Sequence, residues 1–126
     1  MSNLTELVDR YFAMWNETDG TRRRALIGEI WTATARYRDP RLEADGPDGI
    51  DAMVAQVQAA YPRLRFMRTS AIDMHHDTVR FTWSFGPEGG PALALGTDFG
   101  VVAGERLEAM TGFFDHLGEP ASAVAA

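Results

Sequence analysis

Apolar and polar side chains alternate strictly in the stretch Val79-Arg80-Phe81-Thr82-Trp83-Ser84-Phe85. Successive side chains of a β-strand point to opposite faces, so this alternation predicts a strand with one buried face. Further strands are predicted around it over residues 64–73, 92–102 and 106–114, separated by turn sequences at 75–77, 86–90 and 103–105. The second half of the chain is therefore predicted to form an antiparallel meander.

The first half of the chain has the three-to-four spacing of amphipathic helices. Apolar stripes run over residues 4–15, 26–31 and 50–61, and they predict three helices. Between the second and third stripes the period changes to two over residues 32–39, which predicts a strand that ends at Pro40. Three helices followed by a meander indicate an α+β fold, with a pocket where the helices cover the concave side of the sheet.

Length and composition restrict the domain organisation and the classes of function. The 126 residues predict a single domain over 1–118 and a flexible tail over 119–126. With 18 acidic and 12 basic side chains the net charge is −6, which disfavours binding to nucleic acids or anionic membranes. Residues 1–10 lack the apolar run of a signal peptide and no stretch is long enough to span a membrane, so we expect a cytoplasmic protein.

The absence of two residue types excludes several kinds of chemistry. The chain contains no cysteine and no lysine, which rules out disulfides, thiolate nucleophiles and Schiff bases. In a strand the adjacent His75 and His76 would point to opposite faces and could not share a metal ion, and we expect them to belong to a surface turn. We therefore expect neither a metal nor an organic cofactor.

Two ionisable side chains in the first half of the chain are candidates for a site. Tyr11 lies on the apolar stripe of the first helix, where its hydroxyl needs a partner; the alternative is a core tyrosine with a satisfied hydroxyl. Asp39 lies on the same strand face as Ala35 and Tyr37, directly before Pro40. Its alternative is the ordinary role of aspartate in a turn.

Asp98 is the third candidate, because it lies inside the apolar run of residues 93–102. Alternation places it on the face of Ala94 and Gly96, whose small side chains leave room above the sheet. A carboxyl group in an apolar hollow has a raised pKa and can stay protonated. The alternative is an edge strand on which Asp98 faces water.

Apolar and aromatic side chains are available for the wall of such a pocket, and the alternative for each of them is a place in the plain core. The candidates are Trp15, Met53, Val57, Phe66, Trp83, Phe85 and Phe113. A wall of this kind suits a small, hydrophobic, oxygenated molecule such as a steroid or polyketide.

Four short motifs carry a family resemblance. They are RYFAMWN at 10–16, ARYRDP at 35–40, WSFGP at 83–87 and TDF at 97–99. With them the sequence resembles the nuclear-transport-factor-2-like superfamily, and within it the SnoaL-like polyketide cyclases and the Δ5-3-ketosteroid isomerases. The resemblance implies a cone-shaped, strongly curved antiparallel sheet wrapped by three N-terminal helices. It also implies a homodimer that packs through the outer face of the sheet.

The resemblance also implies roles for the three ionisable residues. In ketosteroid isomerases an aspartate base moves a proton between carbons, while a tyrosine and a protonated aspartic acid stabilise the enolate oxygen. By motif, Asp39 would be the base, with Tyr11 and Asp98 as hydrogen-bond donors. The expected activity is allylic isomerisation or aldol-type cyclisation of a hydrophobic carbonyl compound. The alternatives are a non-catalytic module that binds a small ligand and a protein-interaction domain of the same fold.

Overall fold

The computed structural model describes residues 4–118, in which three helices pack on one curved sheet of seven strands. The helices are α1 (Leu4–Asn16), α2 (Gly20–Ile30) and α3 (Gly46–Ala60). The strands are β1 (Trp31–Arg38), β2 (Glu43–Asp45), β3 (Leu64–Arg68), β4 (Asp73–His75), β5 (Thr78–Pro87), β6 (Ala94–Ala103) and β7 (Arg106–Leu117). The predicted α+β fold is thereby confirmed, while the predicted tail at 119–126 lies outside the described residues.

The helices lie where the apolar stripes predict them, and side chains fix their ends. The carboxylate of Asp19 accepts a hydrogen bond from the backbone N–H of Arg22 at 2.9 Å and so caps α2. Pro47 occupies the first turn of α3, where its missing N–H costs no helical hydrogen bond. None of the helices within residues 4–118 is long and apolar enough to cross a membrane.

A buried arginine ties the three helices together. The side chain of Arg23 on α2 forms an ion pair of 2.6 Å with Asp51 on α3 and donates to the backbone carbonyl of Glu17 after α1. It also donates to Gln58, whose amide in turn donates to the carbonyls of Trp15 and Glu17. These bonds hold the C-terminal ends of α1 and α3 together.

The sheet is mixed rather than antiparallel throughout. Its strand order is β2-β1-β7-β6-β5-β3, with β4 paired to β5, and β1 runs parallel to β7. The strand predicted over 64–73 is divided into β3 and β4, and the short β2 was not predicted. The first two residues of the turn predicted at 86–90, Gly86 and Pro87, belong to β5. The parallel pairing could not be found by a local pattern, since β1 and β7 are far apart in the chain.

A change of phase within β7 decides which of its side chains face the helices. Leu107 and Met110 are both buried, although strict alternation would put them on opposite faces of the strand. The register between β6 and β7 shifts at Val101/Val102, opposite the residues that separate them. Such an irregularity moves the following side chains to the other face. Phe114 consequently faces inward, whereas Phe113 is 53% exposed on the outer face. The prediction that Phe113 belongs to the pocket wall is therefore wrong.

Candidate active site

A cavity of about 240 Å³ lies between the helices and the inner face of the sheet. Helices α1 and α3 and strands β1, β3, β5, β6 and β7 all contribute side chains to its wall. Of the seven wall residues predicted from the sequence, the structure places five on it: Trp15, Val57, Phe66, Trp83 and Phe85.

Met53 is the second predicted wall residue that the structure places elsewhere. It is buried in the core, one helical turn before Val57, and it does not line the cavity. The cavity follows the C-terminal half of α3, along Gln56, Val57 and Ala60. The stripe on α3 thus has a core segment and a cavity segment, which apolar spacing cannot distinguish.

At the closed end of the cavity the carboxyl group of Asp98 is 3% exposed and has two side-chain partners. The hydroxyl of Tyr11 donates to Oδ2 at 2.7 Å, and the indole N–H of Trp83 donates to Oδ1 at 2.8 Å. Gly96 makes this arrangement possible, because a Cβ on it would overlap the ring of Trp83. The alternative of a water-facing Asp98 on an edge strand is excluded, since β6 lies between β5 and β7.

The protonation of Asp98 follows from this environment. The pKa of Asp98 is raised to about 7, because burial raises it by more than the hydrogen bonds from Tyr11 and Trp83 lower it, and the charge of Asp39 raises it further. Burial and the charge of Asp98 also raise the pKa of Tyr11 well above 10.0, so Tyr11 stays a neutral phenol. Near neutral pH, Asp98 therefore exchanges between its acid and carboxylate forms while Tyr11 keeps its proton.

The two partners of Asp98 determine where its proton can lie. An indole N–H can only donate, so Oδ1 remains an acceptor in both forms of Asp98. The proton must then lie on Oδ2, where it can be donated to the oxygen of Tyr11. This reversal frees the phenolic O–H of Tyr11, which lines the cavity, to donate to a ligand. The protonated pair thus offers a hydrogen-bond donor to the oxygen atom of a ligand that enters the cavity.

Asp39 also lines the cavity, but it is bound mainly by backbone. Its Oδ1 accepts the N–H groups of Arg41 and Leu42, both at 2.8 Å, and its own N–H donates to the carbonyl of Leu42. Its Oδ2 accepts the hydroxyl of Tyr37 at 2.7 Å. Asp39 therefore organises a turn and belongs to the cavity at once. A carboxylate has about four acceptor positions, so one on Oδ2 remains for a ligand.

The side chains of Asp98 and Asp39 both lie close to Gly112 on β7. A Cβ at Gly112 would lie 2.9 Å from Oδ1 of Asp98, 3.3 Å from Cβ of Asp39 and 3.5 Å from the hydroxyl oxygen of Tyr37. All three candidate residues are thus placed on one cavity, with Tyr37 as a fourth polar member. Sequence reasoning missed the role of Tyr37, although its position two residues before Asp39 on one strand face was a usable signal.

Within residues 4–118 no cluster of three or more histidine, cysteine, aspartate or glutamate side chains is arranged to hold a metal ion. The exposed rings of His75 and His76 contact each other at the turn between β4 and β5, with their Nδ1 atoms 3.1 Å apart.

Comparison with known proteins gives no matching family model and no matching curated protein. Among solved structures, a protein of the SnoaL-like family from Agrobacterium tumefaciens, provisionally described as an isomerase, is 34% identical with a TM-score of 0.84. The match covers 89% of this chain and 97% of that protein.

Two more distant structures share the fold. One, from Catenulispora acidiphila, has a ketosteroid isomerase-like fold and was solved with trimethylamine; it is 20% identical over 85% of this chain and 83% of its own, with a TM-score of 0.70. The other, provisionally described as a SnoaL-like polyketide cyclase from Jannaschia sp. CCS1, is 18% identical over 88% and 86%, with a TM-score of 0.65. Because the match to the Agrobacterium protein exceeds 30% identity over nearly all of both chains, this chain belongs to the SnoaL-like family.

Proposed function

We propose that the protein is a cytoplasmic enzyme that moves a proton on a small hydrophobic carbonyl compound without a cofactor. The reaction would be the isomerisation of an unsaturated ketone or an aldol-type cyclisation. The observation that carries the proposal is the buried Tyr11–Asp98 pair in an apolar cavity that also holds Asp39. Fold alone would not support it, since one fold serves many functions.

In the proposed reaction Asp39 is the base. The C–H bond next to the substrate carbonyl breaks and its proton passes to Oδ2 of Asp39; the C–H electron pair forms a C=C bond while the π electrons of the carbonyl move onto its oxygen. Asp39 then returns the proton to the carbon at the far end of the dienolate, the electron pair on oxygen re-forms the carbonyl, and the remaining C=C bond is left in conjugation with it, which completes an isomerisation. A positioned base contributes on the order of 10² to 10⁴ in rate.

Tyr11 and Asp98 would stabilise the oxygen on which negative charge develops. With Asp98 protonated on Oδ2, the phenol of Tyr11 donates into the cavity and Asp98 supports it from behind. A preorganised donor of this kind is worth roughly 3–4 kcal/mol in the barrier. The donor form requires Asp98 to keep its proton, and its pKa of about 7 allows this at neutral pH.

One observation favours the non-catalytic alternatives. Asp98 accepts two hydrogen bonds and Asp39 accepts three, all from the protein itself. A buried polar network that is largely satisfied also serves a purely structural or ligand-orienting role. The same cavity could thus hold a ligand without turnover, or the domain could bind another protein.

The test is an isomerase assay that follows the absorbance of the conjugated enone. The substrates are 3-cyclohexen-1-one and 5-androstene-3,17-dione, and the proteins are the wild type, Asp39→Asn and the control Asp9→Asn. Asp9 is an exposed residue on α1, so Asp9→Asn makes the same substitution at a position outside the cavity. We expect turnover by the wild type and by Asp9→Asn, with a loss of at least about 10²-fold in Asp39→Asn.

The other outcomes separate the alternatives. No turnover of either ketone, together with binding of 2-naphthol measured by calorimetry, would point to a ligand-binding module. Absence of both turnover and binding would move the assignment to a protein-interaction domain.

We also propose that the chain forms a homodimer through the outer face of its sheet. Phe99 and Phe113 are exposed there with their ring centroids 5.8 Å apart, and Leu95 is exposed on the same strand face as Phe99. Exposed apolar clusters of this kind are typical of protein interfaces. Light scattering after size exclusion should give twice the chain mass for the wild type and for the helix-side control Thr5→Asp. The chain mass itself is expected for Phe113→Asp, and a monomeric wild type would contradict the proposal.

A further inference from the structure

The cavity differs in charge between its closed end and its mouth. Asp98 and Tyr11 lie at the closed end and are almost fully buried. At the exposed end lies Arg41, which follows directly from the turn that Asp39 organises. Of the cavity-lining side chains described in residues 4–118, only that of Arg41 carries a positive charge.

The guanidinium of Arg41 is held near the mouth without an acidic partner among residues 4–118. Its central carbon lies 6.0 Å from the ring centroid of Phe114, which also lines the cavity. The ion pairs found in this part of the chain involve other arginines, and the contact of Arg41 with Asp39 is made by its backbone N–H. An arginine placed over an aromatic ring with its N–H groups unpaired by a carboxylate is suited to bind one from a ligand.

The acidic residues of the cavity would orient such a ligand. A carboxylate that entered first would meet the carboxylate of Asp39 and the apolar surroundings of Asp98, and both the like charge and the loss of solvation would disfavour that orientation. With its carboxylate at Arg41, the same ligand places its uncharged end at Tyr11 and Asp98. The arrangement therefore selects one orientation of a molecule that is polar at both ends and apolar between them.

The size of the cavity limits the ligand further. Its volume of about 240 Å³ lies below the roughly 300–1,000 Å³ that is typical of pockets for drug-sized ligands. One or two rings fit this space better than the four rings of a steroid.

We infer that the substrate is a one- or two-ring carbonyl compound with a carboxylate, which Arg41 binds at the mouth while the carbonyl lies at Tyr11 and Asp98. This inference rests on the proposed function, because it takes the closed end as the place of the reacting oxygen. Arg41 would then determine specificity without taking part in the proton transfer.

The test compares two probes by calorimetry. 2-Naphthol carries a hydroxyl that can replace the enolate oxygen, and 6-hydroxy-2-naphthoate adds a carboxylate at the opposite end. We expect the wild type to bind the carboxylate probe about tenfold more tightly, which corresponds to about 1.4 kcal/mol. The advantage should shrink at high salt, because the contact at the mouth is open to screening.

Variants assign the effect to its source. Arg41→Gln should abolish the preference for the carboxylate probe, and Arg41→Lys should keep part of it, since lysine keeps the charge and loses the planar fork. Arg22→Gln is the matched control, because Arg22 is an exposed arginine on α2 and its loss changes the net charge equally. The control should keep the full preference.

The possible failures are distinct. Equal binding of both probes by the wild type, or an unchanged preference in Arg41→Gln, would overturn the inference about Arg41 and leave the proposed function intact. Binding of neither probe would overturn both, since the closed end would then not accept an oxygen of this kind.

Discussion

The two carboxyl groups of the cavity, Asp98 and Asp39, are the same type of residue held in opposite ways. Asp98 is buried among side chains, and its side chain is bound by a phenol and an indole from distant parts of the chain. Asp39 is half-buried, and two of its three partners are backbone N–H groups of the next turn. The first depends on the assembly of the whole fold, whereas the second is largely set within four consecutive residues.

Under the proposed function, this difference would give the two groups different chemical tasks. Burial disfavours the charged form of Asp98, and its pKa of about 7 leaves it a proton to share with Tyr11. Asp39 accepts hydrogen bonds on both of its oxygens, an arrangement suited to the carboxylate that a base requires. Two titratable groups whose environments differ in this way are the pattern from which acid and base are assigned.

The largest expected effect comes from exchanging the carboxyl groups for amides one at a time. In Asp98→Asn the new amide nitrogen could donate to Tyr11 while the amide oxygen accepts from Trp83, so this variant imitates the protonated form. We expect Asp98→Asn to lower kcat/KM about tenfold, against roughly 10² to 10⁴ for Asp39→Asn. In the wild type kcat/KM should fall as the pH rises through about 7, and this fall should be absent in Asp98→Asn.

The enone assay at several pH values on both sides of the Asp98 pKa measures both effects. A wild-type rate that rises through this range, together with a loss in Asp98→Asn as large as that in Asp39→Asn, would reverse the assignment and make Asp98 the base.

A second change should disrupt the hydrogen bond of Trp83 to Asp98 and leave the contacts of Asp39 intact. In Gly96→Ala the new Cβ would overlap the ring of Trp83, so the indole that binds Asp98 must move. We expect the free energy of unfolding to fall by about 3 kcal/mol, as for other overpacked cores. The control is Gly28→Ala in α2, where an added Cβ would meet no atom within 4 Å beyond its chain neighbours and the backbone of its own helix, and alanine should stabilise by roughly 0.5–1 kcal/mol.

Urea unfolding measures these free energies, and the fluorescence of Trp83 should change only in the first variant. Equal stability of Gly96→Ala and the wild type would show that the indole can yield without cost, contrary to the packing argument.

The third prediction concerns stability and pH. The pKa of Asp98 is raised from 3.8 to about 7 in the folded state, so between these values the folded protein binds more protons than the unfolded chain. Stability must then fall as the pH rises, by roughly 2.5 kcal/mol from about pH 5 to 8, and level off above the folded pKa. Urea unfolding at several pH values should show this fall in the wild type and a flatter curve in Asp98→Asn. Parallel curves would place the carboxyl in a more hydrated environment than its burial indicates.

The two contacts of Asp98 differ in how far the sequence predicts them. Local patterns single out Tyr11 and Asp98 separately, because each is a polar group on an otherwise apolar face, and only the family resemblance assigns them a joint role. The contact of Trp83 with Asp98 follows from neither, since it depends on the register between β5 and β6 that pairs Trp83 with Gly96. Alternation gives the face of a residue, but it does not give its neighbour across the sheet.

The errors have physical causes of the same kind. The prediction for Phe113 assumes that alternation continues along its strand, and the register shift between β6 and β7 interrupts it. The parallel pairing of β1 with β7 joins residues far apart in the chain, for which a local pattern carries no signal. Sequence patterns do not single out Arg41, because its significance depends on the cavity beside it.

The smallest effect should come from removing the hydroxyl of Tyr37, the one side-chain group within residues 4–118 that donates a hydrogen bond to Asp39. Tyr37→Phe removes one of the three hydrogen bonds to Asp39 and leaves the two backbone bonds, so the turn should persist. We expect a loss of about 1 kcal/mol in stability, typical of one hydrogen bond, and a loss of up to about tenfold in kcat with little change in KM. Tyr37 is a positioning residue in this account, because it acts through Asp39. Normal kcat with a raised KM in Tyr37→Phe would instead place the Tyr37 hydroxyl in contact with the substrate. Tyr61→Phe is the matched comparison, because it removes a phenolic hydroxyl from a tyrosine that also lines the cavity.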